Sequence, residues 1–311
     1  VSGNGIPVGT IEIENGRWKF GYAAEWKAYA LSPNFPIATG TFEDTADARP
    51  VEWFFENLLP EGRLRDLIAS RDRIDPRDTW ALLIRHGQDT AGALSLIPEG
   101  FDVATEEILV PLAKEALQEK IEESRTRNLP LMASWEEIRM SLAGAQEKLG
   151  LRIDASGAMF LPEGSAPSTH IVKPENASAD FPHCPANEFF CMRLAHELKV
   201  PVPAVGLLHL PEPLYVIERF DRSPLDTGAE KVTGRAFGRL HQIDLCQALG
   251  VAPSKKYESE GGLGLHHLFG VLRGTFIDRP IVAANAVGQW GAVTYLTGRL
   301  AAHAKNIALL V

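Results

Sequence analysis

Ser141-Leu142-Ala143-Gly144-Ala145-Gln146-Glu147-Lys148 runs straight into Leu149-Gly150-Leu151-Arg152-Ile153, and Thr169-His170-Ile171-Val172-Lys173 comes next as a second strand-like run. The first stretch puts small residues just before a strand, where backbone N–H groups can approach phosphate oxygens with no side chain in the way. An ordinary β-turn has the same composition. Lys173 closes its strand-like run, and Glu188 falls in a helix expected from about Asn187 to Leu198. A strand-end lysine held by a carboxylate of the following helix is one way to present an ammonium group to nucleotide phosphates. A solvated lysine and an unrelated helix charge would read alike. The weight lies in the order: loop, strand lysine, helix glutamate.

Further along, Val216-Ile217-Glu218-Arg219-Phe220-Asp221-Arg222 leaves a strand and becomes charged at once. That suits a connection between two lobes whose backbone meets an adenine edge, and equally a salt-bridged turn closing an edge strand. Leu207 to Leu210 and Tyr215 to Phe220 read as strands around a Pro211-Glu212-Pro213 turn. Phe237 to Leu249, His266 to Leu272 and Ala283 to Thr297 read as helical, and Ala301-Ala302-His303-Ala304-Lys305-Asn306 follows. In such a loop an asparagine can offer a hard oxygen to magnesium. His303 and Lys305 also suit polar residues past a helix end.

Toward the N-terminus, residues 6–31 alternate apolar and polar positions around Gly16 and Gly21, the pattern of a small antiparallel sheet. Pro50 to Leu59 spaces its apolar residues helically until Pro60-Glu61-Gly62, and Asp78-Thr79-Trp80-Ala81-Leu82-Leu83 has the form of a capped second helix. The stretch 98–130, rich in Glu and Lys, reads as an exposed helical connection and a domain boundary. The expected plan is α+β, a β-rich lobe before a helical one, in segments 1–130, 131–222 and 223–311.

Composition agrees with a folded chain: of 311 residues, 45% are hydrophobic and 23% charged. A net charge of −9 supplies no global attraction for nucleic acid or anionic lipid, so contact with DNA is expected only through a partner. Cys184, Cys191 and Cys246 have neither disulfide-framework nor zinc-site spacing, which points to a reducing, cytoplasmic setting. The opening residues do not read as a secretion signal, and no run of about 18 apolar residues occurs, so no membrane association is expected.

Six stretches together resemble the HipA kinases, the toxin family of bacterial HipA–HipB toxin–antitoxin pairs. They are Ser141 to Lys148, Ser168 to Lys173, Glu218 to Arg222, Arg239 to Gly250, Lys256-Tyr257-Glu258 and His303-Ala304-Lys305-Asn306. Asn57-Leu58-Leu59-Pro60-Glu61-Gly62 is similar to the family's β-rich N-terminal domain. The resemblance implies a two-lobed, protein-kinase-like fold and a serine/threonine protein kinase using ATP and Mg2+. It implies a HipB-like DNA-binding antitoxin as partner and a translation component, such as an aminoacyl-tRNA synthetase, as substrate.

By the same resemblance, Ala143, Gly144, Ala145, Gln146, Glu147 and Lys148 would cover the phosphates, and Lys173 with Glu188 would hold them. Glu218, Arg219 and Phe220 would bracket adenine, Asn306 would bind metal, and Ser141 would be autophosphorylated to eject the loop. The family's catalytic aspartate falls at Ala301, two residues before His303, with Lys305 in the same loop. Alanine cannot take a proton, so transfer should be strongly impaired, whether Ala301 is an introduced inactivation or marks a natural pseudokinase. The resemblance further implies C-terminal elements beyond Val311, including a second metal-binding aspartate. The competing function is a catalytically dead module that binds the antitoxin and takes part in operon repression.

Overall fold

The computed structural model describes residues 1–101, 106–127, 131, 143–144, 146–176, 182–224, 237–274, 279–298 and 303–311. The chain falls into two compact units: one contains Val1–Leu59, Thr79–Glu99 and Leu240–Val311, the other Pro60–Asp78 and Gly100–Arg239. These units interleave the three segments expected from the sequence.

The first unit begins with short strands β1 (Ser2–Gly3) and β2 (Ile6–Pro7), then β3 (Gly9–Glu14), β4 (Arg17–Tyr22) and β5 (Thr41–Glu43). β3 and β4 form the expected hairpin with Glu14 opposite Arg17, and the turn uses Asn15 and Gly16 at positive φ. Helix α1 (Pro50–Glu56) starts on its proline, and the Asp44 carboxylate accepts from the Val51 and Glu52 N–H groups. Its Phe54 and Phe55 join Phe20 and Phe35 in an aromatic core.

Helix α2 (Gly62–Asp72) belongs to the second unit and lies where the sequence pattern had been expected to end. Helix α3 (Thr79–His86) and strand β6 (Leu94–Ser95) return to the first unit.

The second unit is built on a six-stranded antiparallel sheet. Its elements are β7 (Glu107–Leu112), α4 (Lys114–Arg127), β8 (Leu149–Ile153), β9 (Met159–Gly164), β10 (His170–Lys173), α5 (Cys184–Glu197), β11 (Val205–Leu210) and β12 (Glu212–Glu218). The strand order is β11-β12-β10-β8-β9-β7. The expected helix within 98–130 is present, but the described residues of that stretch are more than an exposed connection. They supply an edge strand and a helix whose Leu117, Ile121 and Ser124, spaced four and three apart, are buried. Leu117 and Ile121 pack with Leu149, Leu151, Val172 and Leu214, and each such side chain contributes about 2 kcal/mol of burial. A Glu/Lys-rich outer face hid that inner stripe.

Strands β13 (Arg222–Pro224) and β14 (Phe237–Arg239) pair within the second unit, and β15 (Gln242–Asp244) follows in the first. The expected helix from Phe237 therefore begins only at α6 (Leu245–Leu249), because Asp244 is a helix N-cap. Its carboxylate accepts from the Gln247 N–H while the Gln247 side chain accepts from the Asp244 N–H. Helices α7 (Leu265–Leu272) and α8 (Pro280–Thr297) pack around Leu245, Cys246 and Ala304. The outward residues of α8 include large apolar ones, with Ile281 84% and Tyr295 86% exposed. Strand β16 (Ala308–Leu310) pairs with β15.

Candidate functional site

In the second unit, β10 lies between β8 and β12, with Lys173 opposite Tyr215. Strand alternation turns Val172 into the core and Lys173 to the other face. Helix α5 packs on β11 and β12, and its second turn carries Glu188. The Lys173 Nζ donates to Glu188 Oε2 at 2.7 Å, and the side chains are 21% and 16% exposed. The ammonium also lies 5.5 Å from the Tyr215 ring centroid. Glu175 secures the start of the helix, its Oε1 accepting from the N–H groups of Asn176 and Cys184 at 3.0 Å. Burial and then the Glu175 and Glu188 carboxylates push the Cys184 thiol up.

The glycine-rich stretch is placed in part: Ser141, Leu142 and Ala145 lie outside the described residues. Gly144 has φ +109°, and a Cβ there would stand 2.8 Å from Lys148 Nζ, so the position demands glycine. Lys148 is buried and its Nζ donates to the Ala143 carbonyl at 2.5 Å. The Gly144 carbonyl accepts from the Glu61 N–H at 3.3 Å beside a parallel bridge between Pro60 and Gly144. Burial pushes the Glu147 carboxyl up, against the Arg63 charge and hydrogen bonds from Leu131 and Ser124. Glu147 thus points toward α4, and Gln146 is half-buried.

At the end of β12 the three expected adenine-side residues diverge. Glu218 is exposed and Phe220 is 46% exposed, but Arg219 turns inward. Its guanidinium bonds both Asp221 oxygens, at 2.9 and 2.7 Å, and Ser168 Oγ at 2.9 Å. Arg222 adds a bond from Nε to the Ser168 carbonyl at 3.1 Å. Such a bidentate, fully enclosed pair fixes the bend after the strand. Asp221 and Arg222 stand in the quoted stretch, but only the fold shows that Ser168 joins them.

In the first unit, Ala304–Asn306 forms one 3-10 turn before β16, and Ala301 lies outside the described residues. The Lys305 Nζ donates to the Asn57 carbonyl at 2.7 Å and to Asn57 Oδ1 at 2.9 Å, with Asp244 Oδ2 at 3.5 Å. Its side chain is 2% exposed. The Ala304 N–H donates to the Lys256 carbonyl, and the His303 ring meets Tyr257 edge-on at 5.0 Å. Asn306 is exposed.

Stretches 239–250, 256–258 and 303–306 therefore meet through Asp244, Lys256 and Tyr257. Nearby in sequence, buried His241 stacks on Tyr29 at 4.7 Å and its Nε2 pairs with the Leu31 carbonyl at 2.9 Å. Burial pulls the imidazole down to about 4. Asn57 was not expected as a partner of Lys305; 248 residues separate the two in sequence.

Among the described residues no group of three or more His, Cys, Asp or Glu could hold a metal ion, and no helix is long and apolar enough to cross a membrane.

Family models match both parts of the chain: the HipA N-terminal domain over residues 1–97 and the HipA-like C-terminal domain over residues 140–311. The chain is 32% identical over 304 residues to the serine/threonine-protein kinase toxin HipA of Shewanella oneidensis, covering 93% of this chain and 65% of the relative. It is 35% identical over 301 residues to the putative kinase Y4mE of Sinorhizobium fredii, covering 94% of this chain and 68% of the relative. The chain thus spans about two thirds of the length of these relatives. Its fold is similar to a chain in the Shewanella oneidensis MR-1 complex of HipA, HipB and operator DNA, with a TM-score of 0.78 and 28% identity, covering 99% of this chain and 71% of that one.

Proposed function

The chain belongs to the HipA family, and from that premise we propose that it is an ATP-dependent serine/threonine protein kinase toxin of a toxin–antitoxin pair, impaired by alanine at position 301. The observation that carries this reading is the Lys173–Glu188 pair, an ammonium fixed at the end of a central strand yet open on one side.

ATP would supply the phosphoryl group, and magnesium would neutralise charge on its phosphates. Lys173 would hold phosphate oxygens while Glu188 orients the ammonium. The backbone around Gly144 would cover the phosphates, with Lys148 holding that loop by its own Ala143 carbonyl. Glu218 and Phe220 would flank adenine, with the buried Arg219 acting as the support of that bend. Asn306, exposed, would offer its amide oxygen to magnesium. His303 and Lys305 would keep the loop in shape. Position 301 would receive the proton of the acceptor hydroxyl, which alanine cannot do; a general base contributes about 10²–10⁴ in rate.

The proposed substrate is a translation component such as an aminoacyl-tRNA synthetase, and the proposed partner a HipB-like antitoxin in the cytoplasm through which DNA is reached. Ala301 also favours a second reading, a catalytically dead antitoxin-binding module acting in operon repression. The two separate in an Ala301→Asp variant assayed with radiolabelled ATP. The kinase reading expects a gain of about 10² or more in phosphate transfer, with phosphate appearing on Ser141. No transfer from that variant, with antitoxin binding intact, would leave the binding module.

A further inference from the structure

The kinase reading gives no task to Ser168, although this fully buried residue stands among the stretches that resemble the family. Ser168, its partners and the bend 218–222 all belong to the second unit. Both oxygens of Ser168 accept from the bend: Oγ from the Arg219 guanidinium at 2.9 Å, the carbonyl from Arg222 Nε at 3.1 Å. The next residue ties this point to the sheet. The Thr169 N–H donates to the Leu151 carbonyl at 2.9 Å, and Thr169 Oγ1 accepts from the Ile153 N–H at 3.2 Å. The Thr169 carbonyl in turn accepts from the Arg219 N–H at 2.8 Å, and the Glu218 N–H donates to the Ala204 carbonyl at 2.9 Å.

Asp221 meets both guanidinium groups, at 2.7 Å from Arg219 and 2.9 Å from Arg222. Asp221 is itself part of the bend, so its carboxylate moves with the arginines. Ser168 belongs to the sheet, and its hydroxyl fixes how deep the Arg219 guanidinium sits. In extended chain the neighbours of an inward residue point outward, so pinning Arg219 sets the direction of Glu218 and Phe220, the residues that would flank adenine.

We propose that Ser168 is a positioning residue for the base of the bound nucleotide: acting through Arg219, it sets the preference of the site for adenine over guanine. The proposal rests on the nucleotide-binding part of the kinase reading. ATP and GTP share their phosphates and ribose, so a residue that acts through 218–220 changes the preference between the two and not the affinity for both.

Calorimetry of the full chain with ATP–magnesium and with GTP–magnesium tests it. Ser168→Ala should weaken ATP binding by about ten-fold and GTP binding by less than about two-fold, as for the loss of one hydrogen bond to a charged group. Arg219→Lys keeps a cation beside Asp221 but cannot reach the carboxylate and the hydroxyl in one fork, so it should narrow the preference in the same way. Ile121→Val removes one methylene from the core of the same unit, controls for general loosening, and should leave the ratio of the two affinities at the parent value.

A ratio unchanged in both Ser168→Ala and Arg219→Lys would overturn the proposal, and so would an equal shift in Ile121→Val. A parent chain that binds neither nucleotide would overturn it together with the nucleotide site. Absence of phosphate transfer from Ala301→Asp, in a chain whose ratio shifts as described, would strike the kinase reading alone.

Discussion

Lys173 and Lys305 both stand in stretches that resemble HipA motifs, and both ammonium groups are hydrogen-bonded, but their surroundings differ in kind. Lys173 keeps 21% of its side chain exposed and faces one carboxylate, Glu188. Lys305 is 2% exposed and meets two oxygens of Asn57 and one of Asp244. A cation whose neighbours are all fixed parts of the fold stabilises that fold. A cation with one carboxylate and a solvated side can exchange water for a ligand at small cost. Two lysines from stretches that resemble the family thus differ: Lys305 is enclosed by fixed parts of the fold, while Lys173 keeps a partly exposed side chain beside Glu188.

The contrast breaks most easily at Lys305. Lys305→Met should cost about 4 kcal/mol, because it takes the donor from two buried Asn57 oxygens and removes the cation beside the Asp244 carboxylate. Urea unfolding measures this, and a loss below 1 kcal/mol would put Lys305 in the same class as Lys173.

A smaller effect tests how dry this region is. His241 has its folded pKa drawn down to about 4, below the ordinary 6.5. The neutral ring is the form that fits, so this contribution is fully present above about pH 6.5 and is lost as pH falls toward 4. The loss amounts to about 3 kcal/mol at 1.36 kcal/mol per unit. His241→Phe should keep the stacking on Tyr29 while flattening stability between pH 6.5 and 4; an unchanged slope would show that His241 is hydrated.

The smallest effect belongs to Lys173. Lys173→Ala should change unfolding free energy by less than about 1 kcal/mol, as for a partly solvated pair. The same variant should lose binding of ATP–magnesium in calorimetry. A stability loss as large as that of Lys305→Met would erase the distinction.

How much of this was legible depended on sequence distance. Lys173 and Glu188 could be paired from the chain alone because a strand end and the next helix confine them to one wall. The β3–β4 hairpin was legible as well, since apolar and polar positions alternate on either side of Gly16. The region 237–244 was misread as helix because its strands are short and pair with residues far away, β15 with β16 at the other end of the helical segment. Only Asp244, a good N-cap letter, marked where the helix could begin. Helix α4 was expected, but its buried stripe was missed because its exposed charges outnumber the three residues that enter the core. The role of Asn57 could not be read at all, because its partner lies 248 residues away and a buried amide has no periodicity to betray it.

Helix α8 has a practical consequence for measurement. Its 18 residues, Pro280 to Thr297, include no charged side chain, and Ile281, Val282, Tyr295 and Leu296 stand largely in water. An environment-sensitive dye such as anilinonaphthalene sulfonate finds a ready apolar surface there while the chain is still native. Thermal-shift traces should therefore begin bright and change little on melting, which would mimic a partly folded sample. Intrinsic tryptophan emission or calorimetry avoids that artefact, and Leu296→Lys should dim the initial dye signal while leaving the calorimetric transition in place.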